Sequence, residues 1–246
     1  MKYLIIGASS GLGREVAYSF AKNNHDLILV ARDDRDLSPI KSDLENKFGV
    51  KVLTISLDFS SIQAIEAKIL SDEKITKEIS GILFPVGLMF EKDDKYLEEN
   101  KINKLIYTNY VSVCFLISKL FETLSKKNTT IVGFGSVSGL LGRKVNSNYA
   151  ASKRALESFF ESLAFECKNT KINIQFYVLG YLDTNLSFGK ELKLPKGNIK
   201  KLSEKIYNNK DKKLIKMYYP YFWNIIAFFL KIVPFSLIVK FQNFLK

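Results

Sequence analysis

Tyr149-Ala150-Ala151-Ser152-Lys153 sets a phenol and an ammonium four residues apart, the spacing that places two side chains on one face of a helix. A cation so placed would stabilise phenolate, lower the tyrosine pKa, and let Tyr149 give and take a proton near neutrality. Alone the pair is a weak signal. It gains weight from Ser136, thirteen residues earlier, just past the apolar run Ile131 to Phe134 in Gly133-Phe134-Gly135-Ser136-Val137-Ser138-Gly139. His25 is the only histidine, so no metal site is expected, and a Ser-His-Asp triad would have to be built around that one residue.

A second constellation lies at the start of the chain. Gly7-Ala8-Ser9-Ser10-Gly11-Leu12-Gly13 follows the apolar run Tyr3 to Ile6 and opens a helix. Glycines there allow positive φ and close backbone approach to a pyrophosphate, and the helix N-terminus supplies amide donors and a positive dipole. The next apolar run ends Leu29-Val30-Ala31-Arg32-Asp33-Asp34. A guanidinium at that end holds a 2′-phosphate, whereas an acid holds a ribose diol. Arg32 therefore favours NADP(H) over NAD(H), with Asp33 or Asp34 as the alternative that would serve NAD.

The elements that must position these groups follow from the apolar rhythm. Tyr3 to Ile6, Leu27 to Val30, Val52 to Ile55, Ile82 to Phe84, Ile131 to Phe134 and Ile174 to Val178 read as strands buried on both faces, with Leu214 to Tyr218 as a last strand. Helix-length segments lie between them: Leu12 to Lys22, Leu37 to Phe48, Ser61 to Leu70, Ile102 to Ser125 and Tyr149 to Cys167. A further helix is expected from Ile199 to Tyr207. The alternation predicts an α/β fold with right-handed crossovers and a doubly wound parallel sheet. At 246 residues the chain suits one large domain. Residues 1–190 read as the nucleotide-binding catalytic part, and residues 191–246 as a substrate lid and C-terminal extension of the same domain.

Taken together, the Gly7/Gly11/Gly13 turn, Ser136, Tyr149 and Lys153 resemble, in order and spacing, the short-chain dehydrogenase/reductase family over about residues 1 to 190. The resemblance implies a Rossmann-type sheet of about seven strands and hydride transfer between a nicotinamide and a carbonyl or alcohol. It makes Tyr149 the acid/base, Ser136 the group that polarises the carbonyl, and Lys153 the partner of the nicotinamide ribose. Asn109 matches the family's helix asparagine of a water-linked proton relay. Ser138 is a rival to Ser136, but the spacing favours Ser136. Gly7, Ser9, Ser10, Gly11, Leu12 and Gly13 would cradle the cofactor. Asp58 matches the acid that meets the adenine ring, and Thr184 the threonine that contacts the carboxamide. Two places depart from the family pattern. Phe84-Pro85-Val86-Gly87 replaces Asn-Asn-Ala-Gly, and Leu179-Gly180 replaces Pro-Gly; Gly87 and Gly180 keep backbone approach to the cofactor open.

Charge and grease collect at the other end of the chain. The formal charge is +12, and thirteen lysines against three acids (Glu191, Glu204, Asp211) from Gly189 onward carry +10 of it. Tyr218 to Val239 contains one charge, Lys231, and is broken by Pro220 and Pro234, so two short helices, Tyr221 to Lys231 and Phe235 to Leu245, are expected rather than a span. Such a basic aromatic segment, 219–246, suits an anionic membrane surface; a sheet-edge cover or homo-oligomer contact is the rival. Cys114 and Cys167 suggest no disulfide framework, and no export signal opens the chain, which fits the cytoplasm, at the inner membrane face if the tail docks there. Gly87-Leu88-Met89, Asn109-Tyr110 and the Tyr-Pro-aromatic start of the tail are similar to the keto-reductase half of the decaprenylphosphoryl-ribose 2′-epimerase system. That likeness implies a lipid-linked keto-sugar substrate. Ketoacyl, keto-sphingoid or soluble ketones are the other enzyme readings, and a nucleotide-sensing interaction protein without turnover is the reading from another class. No nucleic-acid recognition module is visible.

Overall fold

The computed structural model describes residues 1–91, 93–94, 96–183 and 194–240. Seven strands form one parallel sheet in the order β3-β2-β1-β4-β5-β6-β7: β1 Lys2–Ile6, β2 Asp26–Ala31, β3 Val52–Ser56, β4 Ile79–Leu83, β5 Thr129–Ser136, β6 Ile172–Leu179 and β7 Leu214–Tyr219. The order reverses between β1 and β4, and the crevice outside the strand ends at such a switch point is where α/β sheets bind ligands. The fold is the doubly wound Rossmann-type sheet that the apolar rhythm predicts.

The helices are α1 Gly11–Lys22, α2 Asp34–Phe48, α3 Ile62–Ile65, α4 Glu73–Glu78, α5 Glu99–Ile106, α6 Ser112–Ser125, α7 Ser147–Glu166, α8 Ile199–Asn208, α9 Trp223–Ile232 and α10 Phe235–Lys240. Two hydrophobic clusters sandwich the sheet. One joins Leu4, Ile82 and Ile131 to α6 and α7 through Leu116, Leu120 and Phe160; the other joins Ile5, Leu29 and Val132 to α1, α2 and α8 through Val16, Leu37 and Leu202. Residues of opposite parity along each strand feed opposite clusters, which is why the strands read as continuous apolar runs.

The structure departs from the expected elements at three places. The segment Ile102 to Ser125 is interrupted by a π turn, Tyr107–Val111, between α5 and α6, a geometry that clusters at functional sites. Glu66–Leu70 is likewise π-helical after α3, and α4 appears where no element was expected, because Asp72 caps it by accepting from the Lys74 and Ile75 amides. The end of the expected second tail helix, from Phe241, lies outside the described residues.

Candidate active site

Six strand ends converge on one cleft of about 550 Å³. Gly7 turns off β1 with φ at +94°, and a Cβ on Gly13 would lie 2.0 Å from the Gly7 carbonyl oxygen, so only glycines let α1 begin this close to the strand. Ser10 sits at the N-cap of α1 without capping it, and no acid lies in the first turn. The amide donors of the helix end therefore face the cleft with Ser9, Ser10, Gly11, Leu12 and Gly13 along its wall. This chemistry fits a pyrophosphate.

Arg32, exposed at the end of β2, lines the cleft; Asp33 and Asp34 do not. Asp33 instead caps α2, accepting from the Arg35 amide at 2.9 Å and pairing with its guanidinium, and Asp34 accepts from Ser38 Oγ at 3.0 Å. Both candidate diol acids are thus occupied by the start of α2. Beyond β3, Asp58 accepts from Ser60 N–H at 3.0 Å and pairs with Lys104 at 2.9 Å. Burial alone would raise its pKa, but the Ser60 amide and the Lys104 ammonium outweigh it and hold the carboxyl below its usual range.

Ser136 ends β5 and turns the chain into a 3₁₀ turn, Val137–Leu140, where its Oγ accepts from Ser138 N–H at 3.2 Å. Tyr149 lies in the first turn of α7, half-buried. Burial pushes the phenol pKa up, and a hydrogen bond with the Ser136 side chain pulls it back. The Ser138 hydroxyl, in the same cleft, accepts from Arg143 Nη1 at 3.2 Å.

Lys153, one helical turn after Tyr149, is 4% exposed and donates to the Phe134 carbonyl at 3.0 Å. Its Nζ stands 6.0 Å from the Tyr149 ring centroid, and burial lowers its pKa to about 8. A phenol held below its usual pKa by Lys153 was expected; here the direction is upward. Burial outweighs the Ser136 hydrogen bond, and the protonated form that results is the one that can donate.

Asn109 occupies the π turn, 1% exposed. Its Oδ1 accepts from Leu88 N–H at 2.7 Å, and its Nδ2 donates to the Leu88 carbonyl at 2.9 Å and to Ser152 Oγ at 3.1 Å. The side chain thereby ties the loop after Gly87 to α7. The departures from family pattern find apolar roles: Phe84 is buried against Phe59, while Pro85 and Val86 line the cleft. Gly180 N–H donates to the Tyr219 carbonyl at 2.8 Å, and a Cβ on Gly180 would sit 2.0 Å from Trp223 Nε1. The tail helix α9 thus packs against Gly180 in the cleft wall. Thr184 lies outside the described residues.

Two residues near the site carried no sequence signal. Asp93, fully buried, accepts through Oδ1 from Asn148 N–H at 3.1 Å and Asn148 Nδ2 at 2.7 Å, and through Oδ2 from Tyr149 N–H at 2.7 Å. Its backbone carbonyl accepts from Asn146 and Ser147. More than fifty residues separate it from α7, so no local pattern marks the contact. Arg143 is the other, in the cleft wall beside Ser138.

Residues 2–193 match the family model described as short chain dehydrogenase. Hydroxysteroid 11-beta-dehydrogenase 1-like protein B of Xenopus laevis is 28% identical over 193 residues, which are 74% of this chain and 64% of that protein, so the chain spans less than two thirds of it. NADP-dependent 3-hydroxy acid dehydrogenase of Schizosaccharomyces pombe is 31% identical over 188 residues, 75% of this chain and 72% of that protein. A short-chain dehydrogenase from Sphingobium yanoikuyae, solved in complex with NADPH, superposes with a TM-score of 0.76 at 23% identity, covering 95% of this chain and 96% of that one. At that identity the likeness speaks for the fold.

Proposed function

The chain belongs to the short-chain dehydrogenase family, and from that premise we propose that it uses NADPH to reduce a ketone to an alcohol. One observation carries the reading. The Ser136 hydroxyl and the Tyr149 phenol interact in the same cleft that the glycine turn, Arg32 and Asp58 line. Bound NADPH supplies the hydride. The chain's own residues do the rest. Ser136 Oγ orients the carbonyl oxygen, and Tyr149 Oη gives that oxygen its proton, a task for which a phenol kept protonated by burial is suited. The Lys153 ammonium stabilises the phenolate left behind and binds the nicotinamide ribose, while Asn109 fixes the loop after Gly87 and supports the water-linked return of the proton. Arg32 selects the 2′-phosphate, and Gly87 and Gly180 approach the nicotinamide end.

We assign the substrate to the lipid-linked ketones, with a polyprenylphosphoryl keto-sugar as the first choice. The short stretches around Gly87-Leu88-Met89 and the tail support it, as does the outer face of α9, where Ile225, Phe228, Phe229 and Ile232 are 57–62% exposed. That face would lie on an anionic membrane at the cytoplasmic side, with Lys231 and Lys240 at the headgroups. Among the described residues no helix is long and apolar enough to cross a membrane. A second reading, a ketoacyl or hydroxysteroid-type substrate, draws on the names of the similar proteins.

The test is NADPH oxidation, followed by absorbance, with purified protein and a panel of lipid-linked, acyl and soluble ketones. Tyr149→Phe should abolish turnover while NADPH still binds. Full activity in that variant refutes the assignment, and NADPH binding with no carbonyl reduced would favour a sensing role.

A further inference from the structure

The cleft wall beyond Ser136 carries a cation that has no counter-ion among the described residues. Arg143 lies in the segment between the 3₁₀ turn and α7, is half-buried, and lines the same cleft as Ser136 and Tyr149. Its Nη1 donates to Ser138 Oγ, and Ser138 N–H donates to Ser136 Oγ, both at 3.2 Å. Two hydrogen-bonded links therefore separate the guanidinium from the hydroxyl that would meet the substrate carbonyl.

Two other cations of the cleft have partners and the third stands apart. Lys104 is paired with Asp58, Lys153 is bound to the Phe134 carbonyl, and Arg32 stands at the far end beyond β2. Among the described residues no carboxylate pairs with Arg143. Of the five N–H donors in its planar fork, one is used. A guanidinium partly removed from water and left without an anion forfeits solvation that an anionic ligand would return through paired, charge-assisted hydrogen bonds. Around it the wall is apolar, with Leu88, Met89, Val137 and Tyr181.

We propose that Arg143 is the receptor for an anionic group of the substrate, a carboxylate or phosphate ester carried within a few bonds of the reacting ketone. The apolar remainder of the substrate then lies along Leu88, Met89 and Tyr181. This rests on the reductase reading and narrows it: neutral ketones of the same shape are the disfavoured substrates. It also assigns the two cations at opposite ends of the cleft to different anions, Arg32 to the cofactor and Arg143 to the substrate.

The test uses two matched pairs of probes, 4-oxopentanoate with its methyl ester and dihydroxyacetone phosphate with dihydroxyacetone. Each is titrated calorimetrically into NADPH-loaded Tyr149→Phe protein, where binding is read without turnover, with and without Arg143→Gln. The anionic member of at least one pair should bind at least about 10-fold more tightly than its neutral partner, and Arg143→Gln should bring the two within about 2-fold of each other. Which pair responds distinguishes carboxylate from phosphate. Undetectable binding of all four probes, equal binding within both pairs, or a preference that survives Arg143→Gln overturns the proposal; the last would mark Arg143 as a loop residue that only steadies Ser138. NADPH affinity, measured in every variant, reports folding. Failure of the reductase reading shows separately, as turnover that persists in Tyr149→Phe alone.

Discussion

Replacing Asp93 by alanine removes three side-chain hydrogen bonds from the first turn of α7, including the one to the amide of Tyr149 itself. A hydrogen bond to a charged group contributes about 1.5–3 kcal/mol, and loss of an N-terminal cap typically costs about 0.5–2 kcal/mol. The three bonds share one carboxylate and do not add in full. Since Asp93 is 0% exposed, water cannot simply replace it, and we expect Asp93→Ala to destabilise the protein by about 3–5 kcal/mol. That is a large part of the roughly 5–15 kcal/mol of a typical domain. Asp93→Asn separates the contributions: one amide oxygen can still serve Asn148, but the NH₂ group faces the Tyr149 N–H as a second donor. Its expected cost is about 1–2 kcal/mol. Urea unfolding with unchanged m-value reads the stability. A kcat measured well below the unfolding transition reads the displacement of Tyr149, which should lower kcat more than it raises the KM for NADPH. If Asp93→Ala unfolds within about 1 kcal/mol of the native protein and keeps its kcat, the carboxylate does not hold this turn and the reasoning fails.

Further expectations concern the two ends of the cleft and the tail. Lys153 carries a proton below about 8 in the folded state and below its ordinary 10.5 when unfolded. Reductive kcat should therefore fall as pH rises through about 8. Stability should rise with pH between about 8 and 10.5, by about 3 kcal/mol at most, because there the unfolded chain binds the extra proton; Lys153→Met should flatten that rise in urea titrations. Arg32→Ala should weaken NADPH binding by about 10–100-fold and leave NADH nearly unchanged, as cofactor fluorescence titration would show; equal losses for both would move the 2′-phosphate contact elsewhere. Changing Ile225, Phe228 and Ile232 to serine should reduce flotation with anionic vesicles by more than about 10-fold, whereas unchanged flotation would remove this face as the anchor.

The strands were legible because both faces of the sheet are covered. Every central strand then needs an unbroken apolar run, and the runs at Tyr3, Leu27, Ile131 and Ile174 extend by one, two, four and three residues into the observed strands. The glycine turn was legible for a similar reason, since few sequences let a helix start against a strand end. Less visible were contacts that join distant segments. Asp93 caps a helix fifty-five residues away, and Arg143 gains its meaning from Ser138 and the cleft rather than from its neighbours in sequence. Of the two serines that spacing set in competition, Ser138 accepts from Arg143 while Ser136 interacts with Tyr149, a difference that no local pattern marks. Spacing placed Tyr149 and Lys153 on one face of α7, yet it could not foretell that both would lose water together, which moves the phenol and the ammonium pKa in opposite directions.

The tail shows why a greasy segment and a membrane surface must be argued face by face. Trp223 and Ala227 are buried, Trp223 lies over Gly180, and α9 follows directly on the last strand of the sheet. Cutting the chain before Tyr219 would uncover this part of the core and Gly180 in the cleft wall, so any loss of vesicle binding would be confounded by loss of fold. The residues free to meet a lipid surface are those at positions 225, 228, 229 and 232, which recur at helical spacing on the opposite side. No acid follows Asp211, so the electrostatic pull toward an anionic surface is unopposed along the same stretch. One helix therefore carries two faces with separable duties. Its inner face packs on Gly180 in the cleft wall, and under the proposed lipid-linked reading its outer face would lie on the membrane.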